Sequence, residues 1–174
     1  MVDAENEPFE LEEVSTATPE ATLSQARELL LEYGRFVVSQ PGGARFCFGS
    51  LESEADHLPR SYNEQGGGCL LAKVRHHPVG FVAWRALPPT VAPDAWEMKR
   101  LWVRPSGRGL GLGLALARAV LNRAAAAHRK AVYLDTVPTA MSAAHALYLS
   151  LGFTPCAPYN DNPIDGIAHL VKYL

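Results

Sequence analysis

Apolar residues along this 174-residue chain switch between two periods, and the switches divide it into elements. Residues 1–19 are acidic and lack apolar periodicity, so they read either as a mobile leader or as a short edge strand. From Leu23 apolar residues recur every three or four positions (Leu23, Ala26, Leu29, Leu30, Tyr33, Val37). That is the period of a helix with one buried face, and Thr22 or Ser24 is its expected cap. A turn at Gln40-Pro41-Gly42-Gly43 leads to a short apolar run over Arg45–Phe48 and a second short helix over Leu51–Leu58. The polar, Gly-rich stretch Leu58–Gly68 predicts an exposed loop. Cys69–Arg75 and Val79–Leu87 predict an antiparallel hairpin joined by His76-His77-Pro78. After the turn Pro88–Pro93 come a strand over Ala95–Val103, a long helix over Gly109–His128 and a strand over Val132–Thr136. A helix over Thr139–Leu151 stops at Gly152, and Phe153–Ala157 with Ile167–Tyr173 form a last hairpin. Helices, then a meander, then strand–helix–strand–helix–strand predict an α+β fold with a mixed sheet. Residues 21–174 are expected to form one domain behind the acidic leader, residues 1–20.

Composition narrows the function classes. Sixteen Lys+Arg against 18 Asp+Glu give a net charge of -2, which argues against a general nucleic-acid binder. The longest apolar run, Gly109–Ala127, is broken by Arg118, Asn122 and Arg123, so no membrane span is expected. Asp3, Glu5, Glu7 and Glu10 are the opposite of a cationic signal-peptide start. Cys47, Cys69 and Cys156 are odd in number and far apart, which predicts buried thiols in a reducing cytoplasm, neither disulfide nor metal knuckle. No metal site is expected from His76-His77 either.

The chemistry concentrates at Val103–Gly113. Gly107, Gly109, Gly111 and Gly113 lie between an apolar strand and a long helix, flanked by Arg104 and Arg108. Alternating glycines let backbone approach a ligand closely, and the first N–H groups of a helix point outward without intrahelical partners. Together they make an anion site suited to a diphosphate, with arginines adding charge-assisted bonds. The stretch is neither a GxxxxGK[ST] loop nor a GxGxxG fingerprint, which counts against a nucleotide-binding regulatory domain.

Arg108, Gly111 and Gly113 fill the (Gln/Arg)-x-x-Gly-x-(Gly/Ala) pattern, and the stretch resembles motif A of the GNAT superfamily of N-acetyltransferases. Ala144-His145-Ala146-Leu147-Tyr148-Leu149-Ser150-Leu151-Gly152-Phe153 resembles the superfamily's motif B, A-x-x-x-Y-x-x-x-G-F. The likeness is strongest over Glu97–Phe153. It implies a GNAT-like mixed, mostly antiparallel sheet flanked by helices, and acetyl-CoA as the acyl donor. It implies that Leu101, Trp102 and Val103 pair with the pantetheine arm, and that Arg108, Gly109, Leu110, Gly111, Leu112 and Gly113 hold the diphosphate. Ser142 and Ala144 open the motif B helix on the coenzyme side. Met141 stands where many members carry Asn, a contact that Ser142 could supply. Tyr148 is the expected acid for the departing thiolate.

An amine must lose a proton before it attacks a thioester. Glu97 is the expected base, because six residues from Val103 it shares that residue's face in an unbroken strand. It matches the place of a catalytic Glu in the histone-modifying branch. A bulge would change its face, and a solvated carboxylate paired with Lys99 or Arg100 is the competing reading. Asp135 is the reserve base, with His145 behind it. Tyr33, Arg60, Tyr62, Asp135, Tyr159 and Asn160 are the expected acceptor-side residues. Pro158–Pro163 resembles a loop in acetyltransferases of unassigned substrate, although its residues also suit local turns. The sequence therefore predicts direct acetyl transfer to a primary amine of a small molecule, amino acid or peptide. A non-catalytic acyl-CoA sensor is the alternative. Acceptor, acyl length and oligomeric state, a homodimer included, stay open.

Overall fold

A computed structural model of the chain describes residues 9–46 and 48–174; Cys47, one of the three expected buried thiols, lies outside them. The elements run β1 (Phe9–Val14), α1 (Glu20–Ser39), α2 (Phe48–Asp56), α3 (Arg60–Asn63), β2 (Gly68–Val74), β3 (His77–Ala86), β4 (Ala95–Val103), α4 (Leu112–Ala126), β5 (Ala131–Thr136), α5 (Ser142–Ser150), β6 (Thr154–Pro155) and β7 (Ala168–Tyr173). One seven-stranded sheet, in the order β1-β2-β3-β4-β5-β7-β6, holds all the strands. Every pairing is antiparallel except β4 with β5. Of the two readings of the acidic N-terminal stretch, residues 9–14 take that of an edge strand.

The sheet is buried on both faces, so its central strands are apolar without alternation. Leu70, Ala72, Val82 and Trp84 pack against Leu112, Leu116, Val120 and Ala124 of α4. Cys69, Leu71, Phe81 and Ala83, the intervening residues, pack against Leu23, Ala26, Leu29 and Leu30 of α1 and Leu51 of α2. The alternation of the strands thus separates two cores, one per face.

Local chemistry moves several boundaries. Thr22 and Ser24 do not cap α1; it begins after Pro19, whose fixed φ suits a helix start, and no side chain caps it. Leu58–Gly68 is not wholly exposed loop. It holds α3, and Tyr62 is only 1% exposed because it roofs the α1-side core while its hydroxyl donates to Glu54 Oε2 at 2.6 Å. The β2–β3 turn is Arg75-His76, both at positive φ, and His77 already pairs with Val74. Two left-handed residues match the twist of a tight hairpin, which the longer connection would not. The long helix starts at Leu112 because Gly109 and Gly111 hold φ of +82° and +75°. Gly152, at φ +86°, ends α5 as expected.

Two irregularities shape the site. Ala83 pairs with Lys99 and Phe81 with Trp102, so Arg100 and Leu101 together oppose Val82, and Arg100 has φ +61°. Lys99 faces the α1 side by ordinary alternation, the bulge turns Arg100 to that same side, and it sends Leu101 and Val103 to the α4 side. Glu97 and Val103 therefore occupy opposite faces, contrary to the unbroken-strand expectation. The second irregularity is that β4 and β5 pair only from Ala95↔Ala131 to Glu97↔Tyr133. Beyond Glu97 they splay, leaving the β5-facing edge of β4 without a strand partner. Among the described residues no helix is long and apolar enough to cross a membrane.

Candidate active site

A cleft of about 650 Å³ opens along the splay. Its walls are the end of β4 (Leu101, Trp102, Val103), the Gly-rich turn with the start of α4, and the start of α5. Of the eleven residues expected around the coenzyme, ten line it: Leu101, Trp102, Val103, Arg108, Gly109, Gly111, Leu112, Gly113, Ser142 and Ala144. Leu110 does not, and stands 40% exposed beside it.

The turn has the features an anion would need. Among the described residues no group accepts a bond from the amides of residues 109–114. A Cβ added at Gly109 or Gly111 would meet nothing within 4 Å, so the approach to these amides is open. Gly107 serves packing instead: its Cβ would press on Leu112, Val79 and Val103 at 3.1–3.3 Å. Arg108 is exposed, with its guanidinium 5.4 Å from the Trp102 ring centre and its Nε donating to the Val103 carbonyl at 3.2 Å. Arg104, the other arginine of the turn, is committed elsewhere. It forks onto Glu32 at 2.8–3.0 Å and donates to the Pro78 carbonyl at 3.1 Å. Burial pushes Glu32 up, but bonds from Arg104 and Trp102 prevail and hold it below the usual carboxylate range.

A second cavity of about 310 Å³ lies on the α1 side, and Met141 borders both spaces. Of the expected acceptor-side residues, Tyr33, Asp135 and Asn160 line it. Tyr159 lies behind the wall, and its hydroxyl donates to Glu97 Oε1 at 3.0 Å. Arg60 and Tyr62 line neither space: Arg60 is exposed on α3, and Tyr62 is core. Asp135 accepts from Asn160 at 2.8 Å and Asn162 at 3.1 Å, both on Oδ2. Asn162 Oδ1 accepts the Ile164 amide at 3.1 Å, so this loop serves its own geometry and the cavity together.

Glu97 is 1% exposed beneath the cavity. It accepts from Arg85 at 2.7 Å, faces Lys99 at 3.6 Å, and touches Tyr159 and Asn160. Tyr148 is buried, meets Phe153 edge-on at 5.9 Å, and gives its hydroxyl proton to no described residue. Burial, with Tyr33 and Asp135 pushing the same way, raises its pKa, so the hydroxyl stays protonated. His145, partly exposed, lines neither space.

Residues 26–153 match the family model described as the acetyltransferase (GNAT) family. The chain belongs to this family. A GNAT relative, an uncharacterized N-acetyltransferase of Schizosaccharomyces pombe, is 33% identical over 132 residues, 75% of this chain and 78% of that one. The N-acetylaspartate synthetase of Xenopus tropicalis is 31% identical over 121 residues, 69% of this chain but only 43% of that protein. The fold is also that of the PaiA N-acetyltransferase of Thermoplasma acidophilum, solved in complex with coenzyme A. That match has a TM-score of 0.68 at 14% identity, covering 96% of this chain and 99% of the other.

Three further residues line these two spaces without having been singled out for them by the sequence. Phe36 lines the coenzyme-side cleft and stacks on Trp102 at 5.2 Å; one turn beyond Tyr33, it continues the helix face already singled out. Lys99 and Arg100 line the second cavity: Lys99 shares the face of Glu97, and only the bulge, which no local sequence pattern fixed, turns Arg100 inward beside it.

Proposed function

We propose that this chain is an acyl-CoA-dependent N-acyltransferase that moves acetyl from acetyl-CoA to a primary amine by direct attack. The row of unbonded amides over residues 109–114, beside Arg108 and open to the larger cleft, carries this reading. Six donors and a guanidinium suit a diphosphate, and the helix dipole of α4 adds to them. The free edge of β4 at Leu101–Val103 can pair with an extended amide-bearing arm as another strand would. Bound acetyl-CoA supplies the acyl group already activated as a thioester. Met141, common to both spaces, marks where acyl group and amine would meet.

Two carboxylates serve the acceptor side. Asp135 faces the cavity, takes no bond on Oδ1 from any described residue, and would take the amine proton, directly or through one water. Glu97, linked to Asp135 through Asn160, is the base to which the family likeness points; being buried, it would take the proton through the Tyr159 hydroxyl, which gives its own to Glu97 Oε1 and accepts another by way of a water. Tyr148 would hold its proton for the departing sulfur. The acceptor is a small molecule, amino acid or peptide end; the name of the Xenopus relative favours an amino acid.

Calorimetric titration with acetyl-CoA tests the site: wild type should bind and Gly111→Trp should not, and equal tight binding by both would remove it. Thiol release across an amine panel then tests the chemistry. Glu97→Gln or Asp135→Asn should lower turnover by about 10²–10⁴-fold, whichever is the base. A sensor without transfer, favoured by the full set of donors around Glu97 and by Met141 in place of Asn, predicts binding with no release for any amine.

A further inference from the structure

The acceptor cavity has opposite charges on its two strand walls. Lys99 and Asp135 each lie two residues past the last paired positions, Glu97 and Tyr133. Side chains two apart on a strand share a face. The two therefore look into the same space from either side of the splay, ammonium from β4 and carboxylate from β5. We infer that the acceptor is a zwitterion, an amine bearing a carboxylate, seated with its nitrogen against Asp135 and its carboxylate against Lys99. This rests on the reading of the cavity as the acceptor site.

Three observations support it. First, the cations of the wall have their counter-charges behind them. Arg100 is held in a fork by Glu54 at 2.9 and 3.2 Å, and among the described residues Lys99 pairs only with Glu97, at 3.6 Å, a carboxylate already held by Arg85 at 2.7 Å. Neither Glu54 nor Glu97 lines the cavity, so its β4 wall shows positive charge to whatever enters, while Arg45 and Asp161 add one charge of each sign elsewhere on the lining. Secondly, burial and then repulsion from Arg100 and Arg85 lower the Lys99 pKa, and the pulls of Glu97 and of Asp135 across the cavity do not offset them. The ammonium is under-compensated, and a bound carboxylate would supply what is missing. Thirdly, about 310 Å³ lies at the small end of ligand pockets, which suits an amino-acid-sized molecule. A polyamine or another plain cation would bring charge of the wrong sign to Lys99.

The test compares matched acceptors, an amino acid, its carboxamide and the corresponding decarboxylated amine, by thiol release with saturating acetyl-CoA. The carboxylate form should lead in kcat/KM by about tenfold or more, the worth of one charge-assisted contact. Lys99→Met should raise KM for the amino acid with a smaller change in kcat, and should erase its lead over the amide. Lys99→Arg should restore part of that lead, which a merely structural role for Lys99 would not do. Amides or plain amines turned over as well as amino acids, with acetyl-CoA binding intact, would overturn the zwitterion and leave the acyltransferase standing. No release from any of the three with acetyl-CoA bound would also overturn it. Absence of acetyl-CoA binding in calorimetry would overturn both readings.

Discussion

Arg104 and Arg108 are four residues apart at the same turn and carry the same charge, yet their surroundings give them different work. Arg104 is held as a fork by Glu32 and is bonded to the Pro78 carbonyl, so it ties β4 to α1 and β3. Arg108 is exposed and spends one donor on Val103, leaving the others for a ligand. Arg108→Gln should therefore weaken acetyl-CoA binding by about tenfold or more, the loss of a charge-assisted bond, with a shallower salt dependence than wild type. Arg104→Gln should leave the dissociation constant near wild type and lower the unfolding free energy by about 1 kcal/mol. Calorimetry and urea titration of the two variants would separate the roles, and a reversed pattern would mean that Arg104 lets go of Glu32 to meet the ligand. The motif resemblance had singled out Arg108 for the diphosphate, but the tie of Arg104 to Glu32, 72 positions away, leaves no local pattern and could not be read.

At the scale of elements, what could be read beforehand was whatever is fixed by period and backbone chemistry. The Gly-rich turn was legible as a turn from its glycines, but the helix expected from Gly109 begins only at Leu112, since Gly109 and Gly111 hold φ of +82° and +75°. The bulge in β4 was not legible: Arg100, at φ +61°, is no glycine, and it is held there by tertiary contacts. Glu54 binds it with two oxygens, Tyr62 binds Glu54, and the rings of Tyr33 and Phe46 lie 5.7 and 5.5 Å from the guanidinium. Burial works against the charge on Arg100, but Tyr33 and Glu54 prevail and raise its pKa; the same guanidinium holds Glu54 below the usual range although burial pushes Glu54 up. Glu54→Gln should thus cost about 3 kcal/mol, since it leaves a buried cation without its anion, and the acceptor wall should loosen with it. The readouts are urea unfolding and KM for the amine. At the turn, Gly111→Ala should cost only about 1 kcal/mol of backbone strain and keep acetyl-CoA binding, because the new Cβ meets nothing. Loss of binding in Gly111→Ala would mean that the ligand comes closer to the backbone than that open space requires.

For the whole molecule the decisive property is a sheet covered on both faces, which places ionisable groups deep inside. Cys69, wholly buried between β2 and the α1 layer, has its pKa pushed up to about 12, by burial first and then by the charge of Glu13. Burial likewise raises Tyr62, Tyr148 and Tyr159 above the ordinary tyrosine value of 10.0. In the unfolded chain the thiol ionises near its ordinary value of 9.0, whereas in the folded chain it keeps its proton until about 12. Between these limits the unfolded state binds fewer protons than the native one, so stability is fully present below pH 9 and falls as pH rises. One such group steepens that fall by at most about 1.4 kcal/mol per pH unit. Cys69→Ala should lower stability by about 1 kcal/mol at pH 7, through the atom removed from the core. It should also make the decline above pH 9 shallower by up to the slope of one group. Urea unfolding at pH 7, 9, 10 and 11 measures both effects in one series. An unchanged alkaline slope would place the Cys69 thiolate in contact with water in the folded protein, and the α1 layer would then have to open far more readily than its packing against β2 and β3 implies.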